Sequence, residues 1–374
     1  MSAIAHQPDL AASPAPSRPT PLGRTLAQFT ADCSLLGINA ARARDSYRAF
    51  YQEGDPSALP EGVDGWIAPI VRRHEEEAPE GVTVKFCQRL DRQVGAPVSD
   101  RATDRVPLGG LQQDGRVRHL DIESVVIPML GRTGRRTTTL CVSSQVGCAM
   151  GCGFCETAQM GLIRSLTPAE IVAQWWAATH LEKRRIDNIV FMGMGEPLDN
   201  LDAVLEAIAC LTDHHGPRVP MSCVTISTVG RVDGLRRLIG VVQRDGWKRL
   251  GIALSVNAPT DAVRDAIMPI NRRWNMAELR AVMEDLMRVR ETRKILFEYV
   301  LIPGVNDADE HAVALAEWLA PFARREGKSP LGLLNVIPYN PRRDSPWPAP
   351  DEPSVEAFVA RMNALGVYTK RRRT

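Results

Sequence analysis

Apolar positions change period along this chain, and the changes divide it. From about residue 25 to 53 they fall at helical spacing: Leu26, Phe29, Leu35 and Leu36, then Tyr47, Phe50 and Tyr51. A Pro-rich stretch interrupts the pattern, and Trp66 and Ile67 resume it as a short helix, so 23–80 reads as a small helical accessory domain. Two strand-like runs follow at 82–90 and 119–128, joined by a polar, Gly-rich segment; they predict a β-extension with a linker over 81–136. Residues 1–22, rich in Ala, Pro and Ser with nothing periodic to bury, read as a disordered arm.

Beyond 137 the chain alternates. Strand-like runs at 139–146, 186–194, 223–228, 250–256, 295–302 and 333–338 are each followed by a helix-like stretch. Such alternation predicts an α/β fold with a parallel sheet, here six units forming an open or closed barrel over 137–374. The first helix has the clearest start: in Thr167-Pro168-Ala169-Glu170 an N-cap, a first-turn Pro and a capping-box Glu precede Ile171, Val172, Trp175 and Trp176 at core spacing. In parallel barrels chemistry gathers at the C-terminal ends of the strands. Those ends carry a cysteine loop, Gly193-Met194-Gly195-Glu196-Pro197, Ser227-Thr228, Ser255-Val256-Asn257 and Tyr339-Asn340.

Composition narrows the class without naming a function. With 44% hydrophobic and 24% charged residues over 374 positions, the chain suits one large domain and a smaller accessory one. No run approaches the roughly 18 apolar residues of a membrane span, and the N-terminus lacks a signal-peptide core, so no membrane association and a cytoplasmic location are expected. The formal net charge of +2 argues for no partner. Arg132, Arg135 and Arg136, and Lys370, Arg371, Arg372 and Arg373, are either solvated clusters or phosphate contacts.

Four of the eight cysteines, Cys141, Cys148, Cys152 and Cys155, lie within fifteen residues, a clustering that reads as metal binding or catalysis in a reducing compartment. Cys148, Cys152 and Cys155 have the spacing C-x3-C-x2-C, and Gly151 and Gly153 let the backbone fold tightly round an inorganic core. Three thiolates can hold three irons of a cubane and leave the fourth without a protein ligand. Structural zinc and a ferredoxin-type carrier both ask for a fourth ligand, for which Cys141, on the preceding strand, is the nearest candidate.

This spacing, with Phe154 before the last cysteine, resembles the signature of the radical S-adenosylmethionine (SAM) superfamily, and Gly193-Met194-Gly195-Glu196-Pro197 resembles its second motif, one βα unit later. The resemblance implies a (β/α)6 partial TIM barrel, a 4Fe-4S cluster on Cys148, Cys152 and Cys155, and SAM held at the open iron and cleaved to a 5′-deoxyadenosyl radical.

A narrower resemblance, from about 82 to 372, is to the radical SAM methyltransferases that modify an adenine of 23S rRNA, at carbon 2 and in some cases in tRNA too, with relatives acting at carbon 8. It rests on 140–148, 155–161, Ile122-Glu123-Ser124-Val125, 224–228, Met268-Pro269-Ile270-Asn271, Phe297-Glu298-Tyr299-Val300 and 335–341. Carried over by position, it makes Gly195, Glu196, Ser227, Ser255, Val256, Asn257 and Asn340 SAM contacts. Glu123 falls where the family has a proton acceptor; by itself it reads as an exposed strand carboxylate. Cys141 matches the family's resolving cysteine; by itself it reads as a buried strand thiol. RNA, an electron donor such as a flavodoxin-type reductant, and a monomeric state are the implied partners and assembly.

Two positions depart from the family. Asn257 stands where His is usual, keeping a hydrogen bond but no titratable group. No cysteine follows Cys223, so the methyl-carrying cysteine of the family's C-terminal tail is absent, and the chain reads as C-terminally truncated. Methyl transfer by the family route is expected to fail in it. A radical SAM enzyme of altered reaction and a non-catalytic RNA-binding paralogue are the alternatives.

Overall fold

A computed structural model describes residues 18–90, 120–130, 134–290, 294–323 and 330–372. Most of the expected N-terminal arm, His119, Arg132 and Arg373 lie outside the described residues.

Ten strands form one sheet. In chain order the strands are β1 (Ile70–Ala78), β2 (Gly81–Leu90), β3 (Leu120–Leu130), β4 (Arg136–Cys141), β5 (Gln145–Gly147), β6 (Leu162–Ser165), β7 (Asn188–Phe191), β8 (Val224–Thr228), β9 (Gly251–Ser255), β10 (Ile295–Leu301), β11 (Gly332–Pro338) and β12 (Thr369–Arg371). The order is β1-β2-β3-β4-β7-β8-β9-β10-β11-β12, with β5 and β6 forming a separate pair. From β1 to β4 the pairings are antiparallel, and from β4 to β12 parallel. The α/β class and partial barrel hold, with the β-extension continuous with the parallel sheet through β3 and β4.

Three local expectations change. The run at 139–146 is two strands: β4 stops at Cys141, and β5 turns away to pair with β6. Trp66 and Ile67 are extended coil leading into β1, whose Arg72-Arg73-His74-Glu75-Glu76-Glu77 is charged because it is an exposed edge strand. Part of the basic C-terminal run is a seventh parallel strand, β12.

The central strands are legible because both of their faces are covered, so they read as nearly continuous apolar runs; all five residues of β8 are buried. The helix Pro168–Trp176 begins with the expected capping box between Thr167 and Glu170 and buries Ile171, Val172, Trp175 and Trp176. Against it pack two nine-residue helices, Leu26–Ser34 and Ala40–Arg48, too short to persist alone. Phe29, Tyr47, Phe50 and Tyr51 fasten them, each at most 1% exposed, and burying a ring of this kind contributes about 1.5–3 kcal/mol. The rings of Phe50 and Trp176 lie 5.6 Å apart, and the Trp176 indole donates to the Phe50 carbonyl at 3.0 Å. Among the described residues no helix is long and apolar enough to cross a membrane.

Candidate active site

The cysteine loop is bracketed by the β5–β6 pair, which closes its two ends on each other. Cys148 N–H donates to the Gly161 carbonyl at 2.9 Å. Gly147 makes this approach possible: its φ is +76°, and a Cβ there would stand 1.8 Å from that same carbonyl oxygen. The loop is held from outside as well. Gly153 N–H donates to Ile267 O, and Arg342 Nε donates to Gly153 O, both at 2.9 Å.

Cys148 and Cys152 are buried and Cys155 half-buried, all in one apolar cluster with Met150, Phe154, Ile267, Met268, Tyr339 and Trp347. Burial pushes the Cys148 thiol up to about 12 and Cys152 well above the ordinary thiol range, so without a cation to pair with both thiols are neutral. A bound metal inverts that preference. Among the described residues no group of three His, Cys, Asp or Glu could hold a metal ion, whereas a cubane asks one thiolate of each of three irons. Three soft thiol donors on one tight, externally pinned loop fit that requirement.

The glycine-rich loop after β7 interlocks with the segment before the cysteines. Gly193 N–H donates to Val142 O at 3.0 Å, and Ser144 N–H donates to Met194 O at 2.8 Å. Side chains at Gly193 and Gly195 would collide with Ser143 and Gln145, at 2.7 and 2.6 Å. Glu196 is 2% exposed, and its carboxylate accepts from Leu198 N–H at 3.0 Å and Val229 N–H at 2.9 Å. Burial raises its pKa, and these donors together with the Thr228 hydroxyl pull it back. Its side chain therefore ties the loop after β7 to the end of β8.

The remaining SAM candidates stand at the ends of β8, β9 and β11. Ser227 and Ser255 stand at the ends of β8 and β9, and Ser255 pairs in register with Glu298. Val256 is fully buried, and its N–H and that of Asn257 donate to Glu298 O. Asn257 adopts φ +53°, a left-handed conformation that Asn tolerates better than most side chains. Its Oδ1 accepts from Val300 N–H at 2.9 Å, and its Nδ2 contacts Met268 Sδ at 3.6 Å. Asn340 is exposed at the rim beyond β11.

Glu123 and Cys141 sit on neighbouring strands, β3 and β4, where Cys141 pairs with Val125 and Glu123 lies two residues away on the same face. Glu123 Oε2 meets Lys85 Nζ at 3.1 Å, and Cys87 faces it directly across β2. Burial raises the Cys141 thiol to about 11, against the opposing pull of Arg372 and a hydrogen bond from Met192 N–H. Arg372 reaches inward from the end of β12 to Met192 Sδ at 3.2 Å. In the C-terminal basic run, Arg371 pairs with Glu352 and Lys370 is exposed, so the run is not one uniform solvated patch.

Lys85, Cys87 and Gln174 bear on the site without belonging to any motif. Lys85 and Cys87 occupy the face of β2 opposite the buried Val84 and Phe86, and the period-two alternation carries that signal. Gln174, at a core position of its helix, accepts from Ser143 N–H at 2.8 Å and from the Ser124 hydroxyl at 2.9 Å, and donates to Ser143 O at 2.9 Å. The Ser143 hydroxyl donates to Glu123 O at 2.7 Å and accepts from Met194 N–H at 2.9 Å. One buried network thus joins the strand of Glu123, the entry to the cysteine loop and the glycine-rich loop. A polar residue at core spacing was its only signal in the sequence.

Comparison with known proteins agrees with this geometry. Residues 142–316 match the radical SAM superfamily. A dual-specificity RNA methyltransferase RlmN of Anaeromyxobacter dehalogenans is 39% identical over 356 residues, covering 91% of this chain and 84% of that protein. A probable dual-specificity RNA methyltransferase RlmN 1 of Protochlamydia amoebophila is 40% identical over 255 residues, which are 68% of this chain. The chain spans 66% of the length of that relative. The crystal structure of a radical SAM methyltransferase from Sphaerobacter thermophilus superposes with a TM-score of 0.74 at 32% identity, covering 93% of both chains. By its fold, its cysteine loop and these likenesses, the chain belongs to the RlmN-type family of radical SAM RNA methyltransferases.

Proposed function

We propose that this protein holds a 4Fe-4S cluster on Cys148, Cys152 and Cys155 and reductively cleaves SAM at the open iron, with an adenine in RNA as the substrate of the family reaction. The observation that carries this reading is the closure of the three-cysteine loop, through Gly147 and Gly161, directly beside the interlocked Gly193–Glu196 loop. When bound, such a cluster supplies one electron and an open coordination position.

The protein's own part is to position and to exclude water. Gly195, Glu196, Ser227, Ser255, Val256, Asn257 and Asn340 frame the SAM pocket in different ways. Glu196 acts through the loop its carboxylate holds in place. Asn257 acts through the backbone its side chain braces, which is why Asn serves there without a titratable ring. The exposed Asn340 amide is free to reach a ligand. Glu123 is the proton acceptor for the adenine, drawn toward the site face by Lys85, and Cys141 is the resolving thiol, kept protonated by burial until needed. Exposed Arg135, Arg136 and Lys370 are the phosphate contacts for RNA, and a flavodoxin-type protein is the electron donor. A cytoplasmic monomer suits these roles.

A radical SAM enzyme whose reaction departs from methyl transfer is the second reading, and a non-catalytic RNA-binding role is the third. Anaerobically reconstituted protein incubated with SAM, a low-potential reductant and ribosomal RNA separates them. The proposal expects 5′-deoxyadenosine; its absence from cluster-loaded protein would rule out both enzyme readings. 5′-Deoxyadenosine without methylated adenine favours the altered reaction.

A further inference from the structure

Beside the cysteine loop lies a buried charge that the proposed chemistry has not used. Arg264 is fully buried, on the helix Asp261–Ile267. Its Nε donates to Val256 O at 3.1 Å, one terminal nitrogen to Asn271 Oδ1 at 3.1 Å, and the other to Val229 O at 2.5 Å. All three acceptors are uncharged. The nearest carboxylates, Asp261 and Asp265, attract the guanidinium through charge without bonding to it, and both accept from the Asn271 amide, at 2.9 and 2.7 Å. Burial draws its pKa down to about 10, so the group remains positive at neutral pH.

An uncompensated cation in a protein interior is strongly unfavourable, and buried charges are found paired. Asp261 and Asp265 attract the guanidinium, and the further negative partner within reach is the cysteine loop, through Cys152. The C-terminal end of Arg264's own helix is bonded to that loop through Ile267 O and Gly153 N–H. Ile267 and Met268 pack in one apolar cluster with Cys148 and Cys152. Three thiolates outweigh the positive charge of a cubane core, so a loaded site is net anionic and becomes more so on taking up an electron.

We infer that Arg264 is the buried countercharge of the iron–sulfur site, a positioning residue that favours the reduced state and, through Val229 O and Val256 O, fixes the ends of β8 and β9 that face SAM. The inference rests on the proposed assignment of the cluster to Cys148, Cys152 and Cys155. The redox step is the uptake of one electron by the cluster from a low-potential one-electron donor, with no bond made or broken.

The test is a redox titration of anaerobically reconstituted full-length protein, followed by electron paramagnetic resonance, with iron and sulfide content measured on each sample. Arg264→Met is expected to lower the reduced-to-oxidised ratio at fixed potential at least tenfold, which is about 59 mV for a one-electron couple. Arg264→Lys restores most of the difference, because it keeps the charge while losing the fork of hydrogen bonds. Asp265→Asn, which removes a nearby negative charge and leaves the guanidinium in place, shifts the ratio the other way and serves if Arg264→Met does not fold. Equal potentials in wild type and Arg264→Met at equal cluster content, or an Asp265→Asn shift that is absent or negative, would overturn the inference. A wild-type protein that takes up no cluster would instead refute the reading beneath it.

Discussion

Gly147 and Gly161 meet so closely that a single methyl group at the first would stand 1.8 Å from the carbonyl oxygen of the second. The contact closes the loop that carries the three cysteines proposed to hold the cluster. Gly147→Ala adds that collision to a left-handed backbone strain of roughly 1–2 kcal/mol. Gly151→Ala, at φ +68° with its nearest neighbour Pro269 Cγ at 3.5 Å, carries the strain alone. Iron bound per chain after reconstitution should fall at least fivefold in Gly147→Ala and less than twofold in Gly151→Ala. Equal loading of the two would remove the loop-closing role.

Gln174 is expected to matter more than its distance from the cysteines suggests. Gln174→Leu leaves Ser143 N–H and the Ser124 hydroxyl without their buried partner, at roughly 1–3 kcal/mol for each group. Urea unfolding of the cluster-free protein should show a loss on the order of 2–6 kcal/mol by that reckoning. A loss under about 1 kcal/mol would mean that the network is not what holds these three segments together.

Alkaline pH should destabilise the cluster-free protein through its buried thiols. Cys141 and Cys210 are both raised by burial from 9.0 to about 11. A raised folded-state pKa means that the folded form holds its proton longer than the unfolded form. The associated stability is thus complete below about pH 9 and is lost as pH rises toward 11. Urea midpoints measured from pH 8.5 to 11 should fall, and Cys210→Ala should fall less steeply than wild type, by up to about 3 kcal/mol at the alkaline end. Parallel curves would show that Cys210 does not contribute.

The Lys85–Glu123 contact is a weak tether. Side-chain exposures of 49% and 35% leave it open to water, and pairs of this kind are worth about 0–1 kcal/mol. A double-mutant cycle with Lys85→Met and Glu123→Gln should return a coupling below about 1 kcal/mol, leaving the carboxylate free to change partner when substrate arrives. A larger coupling would mark the pair as structural.

What the sequence made legible followed from repeated, local signals. The parallel strands stood out because burial on both faces demands apolar runs, and the helix at Pro168 because a cap, a proline and a glutamate coincide. The cysteine loop was legible because ligand spacing is written along the chain. β1 and β12 were not, because edge strands carry charges and lack the apolar pattern that marks a core strand. Arg264, Gln174 and the inward contact of Arg372 were not legible for another reason. Each draws its meaning from partners far off in sequence, such as Val229, Ser143 and Met192, which only the fold brings near.

The central claim is an open iron that binds SAM, and electron–nuclear double resonance on the reduced, reconstituted protein tests it most directly. With SAM carrying nitrogen-15 in its amino group and oxygen-17 in its carboxylate, both nuclei should couple to the cluster, and the cluster should be lost in Cys152→Ala. A fully loaded wild-type cluster that shows neither coupling at saturating SAM would contradict the account.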